Sequence, residues 1–73
     1  MMDPFERLAN AIIIQASADY RLALKQLRQN PLFQPAIRMS YEVERFFRSD
    51  WFSILTRING IELLARLKTE VEI

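Results

Sequence analysis

The first part of the chain carries an apolar stripe at helical spacing. Asp3 is a good N-cap, Pro4 suits the first helical position, and Glu6 completes a capping-box pattern. These signals predict a first helix from Pro4 to about Arg28, ended by Asn30-Pro31. Its predicted core-facing stripe, projected at about 100° per residue, consists of Phe5, Ala9, Ile12, Ile13, Ala16, Tyr20, Ala23, Leu24 and Leu27.

A second amphipathic segment follows the loop around Pro31. Pro35 predicts the start of a second helix that runs to about Arg48. Ile37 and Tyr41 project to roughly the opposite side from its inner face, and a helix with apolar residues on two sides usually contacts two neighbours. The predicted inner face consists of Ala36, Met39, Val43, Phe46 and Phe47.

Two shorter helical patterns complete the chain. Ser49 or Asp50 is predicted to cap a third helix, which Asn59-Gly60 ends, with Gly60 in the left-handed conformation. Asn59 is also predicted to cap a fourth helix, with Glu62 as its capping-box partner. The predicted stripes are Trp51, Ile54, Leu55 and Ile58 in the third helix, and Leu63, Leu64, Leu67 and Val71 in the fourth.

The pattern as a whole predicts an all-α fold, a compact bundle of one long and three shorter helices. No linker, repeat or alternating strand pattern interrupts it, so residues 1–73 are expected to form a single helical domain. The first helix would be roughly 37 Å long, whereas a globule of this size is only about 29 Å across. We therefore expect this helix to overhang, to kink, or to pack against a second copy.

The composition argues against catalysis. The chain has no cysteine and no histidine, which removes disulfides, zinc–thiolate sites, the usual general base and the commonest metal ligand. Asp19 lies at the edge of the apolar stripe without a second acid or base, and the default expectation is an ion pair with a neighbouring arginine. The sequence therefore predicts a protein that is not an enzyme and that uses neither cofactor nor metal.

The chain also lacks membrane and export signals. The first residues have no basic head followed by an apolar run, and no apolar stretch is long enough to span a bilayer. We expect a cytoplasmic protein with no membrane partner.

One side of the first helix is basic. Its residues project within about 40° of a common direction, no acid interrupts them along the helix, and they extend over roughly 30 Å. The simplest interpretation is a solvated face, and the alternatives are an acidic protein partner or a nucleic-acid backbone. This basic stripe consists of Arg7, Asn10, Ile14, Ser17, Arg21, Lys25 and Arg28.

The segment from Glu44 to Phe52 alternates aromatic and charged residues across a helix junction. Most of its rings are expected in the core, with Arg45 or Arg48 over Trp51 as a cation–π or salt-bridged lid. Alternatively, one or two of the rings form an interface hot spot, because Trp, Tyr and Arg are frequent anchors. A DNA-binding helix-turn-helix around Asn59-Gly60 is disfavoured, because the would-be recognition helix is net negative.

Five motifs stand out along the chain: Ala11-Ile12-Ile13-Ile14-Gln15-Ala16, Asp19-Tyr20-Arg21, Glu44-Arg45-Phe46-Phe47-Arg48-Ser49-Asp50-Trp51-Phe52, Leu55-Thr56 and Gly60. With these motifs, the chain resembles a group of short proteins encoded by phages and integrated elements of Firmicutes. The resemblance implies an accessory protein that occludes a host or defence enzyme, CRISPR nucleases included. Where that group reads Glu-Tyr-Leu after the turn, this chain has Ile61-Glu62-Leu63, so no role of that tyrosine transfers.

Three hypotheses follow. The leading one is a phage or mobile-element accessory protein that binds a macromolecular protein partner, a host or anti-phage nuclease, in the host cytoplasm. The others are a nucleic-acid-binding regulator and a structural homo-oligomer subunit. The candidate partner-binding residues are Arg7, Ile14, Arg21, Lys25, Arg28, Tyr41, Arg45, Arg48 and Trp51.

Overall fold

The computed structural model describes residues 3–72 and contains four α-helices. They are α1 (Pro4–Gln29), α2 (Gln34–Arg48), α3 (Asp50–Leu55) and α4 (Gly60–Glu72). This arrangement confirms the predicted all-α bundle of one long and three shorter helices.

Both ends of α1 follow the predicted signals. The Asp3 carboxylate accepts a hydrogen bond from the backbone N–H of Glu6 at 2.8 Å, as an N-cap should. At the other end, the N–H of Asn30 donates to the carbonyl of Gln26, and the Asn30 side chain accepts from the N–H of Leu32. The predicted end at Asn30-Pro31 is therefore confirmed.

The length of α1 gives the molecule its shape. Its 26 residues span about 39 Å, whereas the 15 residues of α2 span about 22 Å. Because α2 starts beside the end of α1 and runs back along it, the first turns of α1 extend past α2. The molecule measures 42 × 22 × 18 Å with a radius of gyration of 13.0 Å, so the expected overhang is present.

The core lies between α1, α2 and α4, and α3 closes one end of it. Gly60, which begins α4, lies against Phe47 near the end of α2, while Val71 near the end of α4 contacts Arg28 of α1. The fourth helix therefore runs antiparallel to α2. The buried cluster consists of Ile13, Tyr20, Val43, Phe47, Phe52, Leu64 and Leu67.

The most deeply buried side chain is polar at its tip. Tyr20 has 0% of its surface exposed, and its hydroxyl donates to the Glu44 carboxylate at 2.7 Å. Burial, together with this hydrogen bond, raises the pKa of Tyr20 well above its usual value. The phenol therefore stays protonated and joins α1 to α2.

The predicted stripe of α1 is largely confirmed, with two corrections. Phe5 is exposed, because it belongs to the turns that extend past α2. Ser17, which the sequence places on the basic outer side, is only 7% exposed. It lies one turn before Arg21 on the side against which α4 packs, and the periodicity of a single helix does not show where a later helix will lie.

The predicted stripe of α3 is wrong. Trp51, Ile54 and Ile58 are exposed, and the buried residue is Phe52. The Ser49 hydroxyl accepts a hydrogen bond from the Phe52 N–H at 3.2 Å, which fixes the start of the helix with Phe52 towards the core. The helix ends at Leu55, so it has fewer than two turns, too few for apolar periodicity to identify its buried side.

The conformation predicted for Gly60 is also wrong, although the cap beside it is confirmed. Gly60 has no positive φ and is the first residue of α4. A Cβ atom there would lie 2.9 Å from the carbonyl carbon of Phe47 and closer still to its oxygen. Asn59 caps the helix by accepting from the N–H groups of Ile61 and Glu62 at 3.0 and 3.2 Å. Glycine is thus required here for close helix contact.

We predict that Gly60→Ala destabilises the protein. In a helix, alanine is ordinarily better than glycine by about 1 kcal/mol. Here the new methyl group collides with backbone, which cannot rotate away, so the loss should be about 1–3 kcal/mol. Chemical denaturation measures the loss of unfolding free energy. Ala65→Gly, at an exposed position of the same helix, is the control for the helix propensities of alanine and glycine. A Gly60→Ala protein as stable as the parent would contradict the close approach.

A second prediction concerns the two tyrosines. Tyr20→Phe leaves the half-buried Glu44 carboxylate without its donor and should cost about 1–3 kcal/mol of unfolding free energy. Tyr41→Phe removes the same atom from an exposed ring and should change stability by less than about 0.5 kcal/mol. Urea denaturation of both variants measures the two losses of unfolding free energy. Equal losses would show that the buried hydrogen bond of Tyr20 stabilises the protein no more than the exposed Tyr41 hydroxyl does.

Candidate partner-binding site

The last turns of α1 on the basic side are bound by α4. The Arg21 guanidinium donates through Nε to the Glu70 carboxylate at 2.7 Å, forming a salt bridge. Arg28 donates through Nη1 to the backbone carbonyl of Val71. No acid of α1 interrupts the basic stripe, but the fold brings Glu70 of α4 onto it.

The remaining residues of the basic stripe are well separated. Arg7, Ile14 and Lys25 are exposed, and Arg7 and Lys25 lie about 27 Å apart along α1. Arg7 lies on the part of α1 that extends past α2, whereas Lys25 lies in the last turns of α1, near the end of α4. The structure thus offers two separate cations with an exposed isoleucine between them.

Three of the aromatic rings at the α2–α3 junction form one cluster. The rings of Phe46 and Phe47 have centroids 5.5 Å apart, and Phe52 meets them edge-on at 5.6 and 5.0 Å. Such tilted and edge-to-face pairs add to the burial energy of the rings. The expectation that most of the rings at this junction lie in the core is confirmed.

The predicted lid over Trp51 is wrong. The guanidinium of Arg45 lies 5.9 Å from the centroid of the Tyr41 ring, one helical turn earlier on α2. Residues four apart share one side of a helix, whereas Trp51 lies beyond the turn at Ser49. Tyr41, Arg45 and Arg48 therefore form one exposed side of α2, and Trp51 is left with 57% of its surface exposed.

An open depression lies between the start of α1 and α3. Its volume is about 730 Å³, and it includes the exposed apolar side chains of Phe5 and Ile54. Trp51 is one turn before Ile54 on the exposed side of α3. We call Phe5, Trp51, Ile54 and Arg57 the junction surface. The full lining of the depression is Asp3, Phe5, Glu6, Asn10, Ser53, Ile54, Leu55, Thr56 and Arg57.

The sequence contained a signal for this surface. Hydrophobic residues make up 51% of the chain, and a domain of this size buries only about 60% of the surface that its unfolded chain exposes, so some of them are expected to remain outside. Helical periodicity assigned Trp51, Ile54 and Ile58 to the core, so it did not indicate which of the hydrophobic residues would be exposed.

The structure does not bring catalytic groups together at Asp19. Its carboxylate accepts a hydrogen bond from the Gln15 amide at 2.9 Å, and no salt bridge to it is found within residues 3–72, so the expected ion pair is wrong. In the same range, no cluster of three or more acidic, cysteine or histidine residues could hold a metal ion. None of the helices described combines the length and apolarity needed to cross a bilayer.

Comparison with family models, with curated proteins and with solved structures gave no match. The resemblance to proteins of phages and integrated elements therefore stays a prediction. Any function must be argued from the surfaces of the molecule.

The Arg21–Glu70 salt bridge makes stability depend on pH. Hydrogen bonding from Arg21 lowers the pKa of Glu70 below its usual value. A lowered folded-state pKa adds stability above the unfolded pKa of about 4.3, and that stability is lost as the pH falls through the folded value.

Glu70→Gln should therefore lower the melting temperature slightly at about pH 7 and leave it unchanged at about pH 2. The loss is small because both side chains of the bridge are partly exposed, at 43% and 53%. Glu42→Gln, on a carboxylate with no salt bridge in the described part of the chain, is the control. Equal effects of Glu70→Gln at both pH values, measured by circular dichroism, would rule out the bridge as the cause.

Proposed function

We propose that the protein is a non-enzymatic binding module that captures a macromolecular protein partner through the junction surface. The observation that carries this proposal is the exposure of Trp51. Removing a ring of that size from water is among the largest gains a small core can make, yet the chain leaves most of it exposed. An exposed Trp beside apolar neighbours is typical of an interface anchor.

The surroundings of Trp51 support its role as an anchor. Phe52 is buried beneath α3, and the Ser49 hydroxyl caps the helix, so the backbone that carries Trp51 is fixed before any partner arrives. Preorganisation of this kind reduces the entropy lost on binding. Arg57 lines the adjoining depression together with Asp3 and Glu6, and Arg48 ends α2, so charges of both signs border the apolar anchor. Acidic groups of a partner would pair with Arg48 and Arg57, which are both exposed.

The partner class is the more specific part of the proposal. We infer from the resemblance that the partner is a host or anti-phage defence nuclease, which this protein would occlude in the cytoplasm of a host bacterium. Occlusion requires no catalytic groups, and a small rigid helical module is sufficient for it. An acidic site that normally holds metal ions, or a surface shaped to receive nucleic acid, would accept the arginines of this face.

Direct nucleic-acid binding is less well supported by the geometry. The basic stripe was the main argument for it, and α4 now holds Arg21 and Arg28. Arg7 and Lys25 remain, too far apart to form a concentrated cationic patch.

Trp51→Ala should abolish partner capture while the fold is retained. The ring is mostly outside the core, so its removal should leave the circular-dichroism melt within a few degrees of the parent. Leu22→Ala is a matched control, since Leu22 is also 57% exposed but lies on α1, away from α3. Tagged parent, Trp51→Ala and Leu22→Ala proteins are used to capture partners from bacterial lysate, with nuclease treatment to remove nucleic acid.

The proposal requires a protein retained by the parent and by Leu22→Ala but lost with Trp51→Ala. A nuclease among the retained proteins, inhibited in cleavage assays by the parent alone, supports the narrower class. Capture that Trp51→Ala leaves intact would remove the junction surface as the site. Duplex DNA binding in a gel shift, with affinity falling steeply between two salt concentrations, would favour the regulator instead.

A further inference from the structure

A second, open groove runs between α1 and α2. Its volume is about 470 Å³, and it shares no lining residue with the depression at the junction. The apolar floor includes the side chains of Ile12, Ala16 and Phe46, all only partly buried. The complete lining is Ala11, Ile12, Gln15, Ala16, Asp19, Met39, Glu42, Val43 and Phe46.

The charges of this groove have one sign. Asp19 on α1 and Glu42 on α2 are its ionisable lining residues, so each wall contributes a carboxylate. Asp19 accepts only a neutral amide hydrogen bond from Gln15, and within residues 3–72 neither carboxylate has a cationic partner. The chain has a formal net charge of +1, so an acidic groove is a local feature and does not reflect the overall composition.

The opposite side of the α1–α2 pair shows how such a groove is filled. There α4 packs its apolar stripe against both helices, and its Glu70 pairs with Arg21 of α1. Asp19 and Arg21 point about 160° apart around α1, so the open groove lies on the other side of the helix from the one that α4 covers. The two grooves have opposite charge, and among residues 3–72 a helix of this chain packs into the basic one only.

We propose that the open groove binds an amphipathic α-helix of a partner protein, one with an apolar stripe flanked by Lys or Arg. The walls extend over residues 11–19 of α1, about 12 Å, which matches roughly two turns of a docked helix. Apolar residues at positions i, i+4 and i+7 would reach the floor, and the flanking cations would meet Asp19 and Glu42. This binding mode is independent of the proposed role of Trp51, because the surfaces are separate.

The experiment uses two synthetic probes, a 14-residue helical peptide of Leu and Lys with its leucines on one side, and the same peptide with Glu in place of Lys. Methyl NMR of the full chain locates binding, and titration gives Kd. We expect the Leu/Lys peptide to shift the methyl signals of Ala11, Ile12, Ala16 and Val43, and the Leu/Glu peptide to leave them unchanged.

Variants separate the groove from the junction surface. Asp19→Lys combined with Glu42→Lys should weaken the Leu/Lys peptide about tenfold, because two attractive contacts become repulsive. Ala11→Trp, on an exposed wall position, should block the groove without disturbing the core. Trp51→Ala should leave the Kd unchanged, so loss of the junction surface and loss of the groove give different results.

Three outcomes would overturn the proposal. The first is equal affinity for the Leu/Lys and Leu/Glu peptides, and the second is binding that Trp51→Ala removes but Ala11→Trp does not. The third is a dimer in light scattering that Ala11→Trp dissociates, because a second copy would then be the natural occupant of the groove.

Discussion

The close contact between Gly60 and the Phe47 carbonyl is the constraint on which the arrangement of the bundle depends. It brings the first turn of α4 directly against the last turn of α2, nearer than any residue with a side chain would allow. The short α3 has to fit between them, and it does so by burying Phe52 against Phe46 and Phe47. From that starting point α4 can only run back along the α1–α2 pair, with Leu64 and Leu67 in the core.

The position of α4 then determines the character of every surface on α1. On one side it buries Ser17 and pairs Arg21 with Glu70, which removes much of a cationic face that the helix alone would present. On the other side Asp19 is half-buried and accepts a hydrogen bond from the Gln15 amide. Arg21 and Arg28 on one side of α1 are thus bound by α4, whereas Asp19 on the other side has no cationic partner among residues 3–72. The charge that matters for recognition is therefore set by packing, and the sum of charges along the helix is a poor guide to it.

Local signals predicted the helices well, because caps and stripes act within one or two turns. Asp3, Asn30 and Asn59 each behave as the sequence indicates, and so does the apolar stripe of α4. The failures share one physical cause, dependence on a distant part of the chain. The buried side of α3 is chosen by rings on α2, Gly60 is required by a carbonyl thirteen positions earlier, and the acid that meets Arg21 comes from the other end of the chain. Of the candidate site, the sequence names Trp51 among the partner-binding candidates, but the apolar stripe predicted for α3 also assigns it to the core, and only the packing of Phe52 against α2 decides between the two.

The proposed anchor is separate from the side chains that hold the α2–α3 junction together. Phe46, Phe47 and Phe52 pack against one another there, whereas Trp51, with 57% of its surface exposed, contributes little to that stability. The acidic groove is less separate from the core, because Val43 and Phe46, which line it, also belong to the core or pack against it. At the junction, the proposed anchor and the core therefore use different side chains of α3. A partner that docked on Trp51 as proposed would not need to repack the core, which favours rigid association over coupled folding.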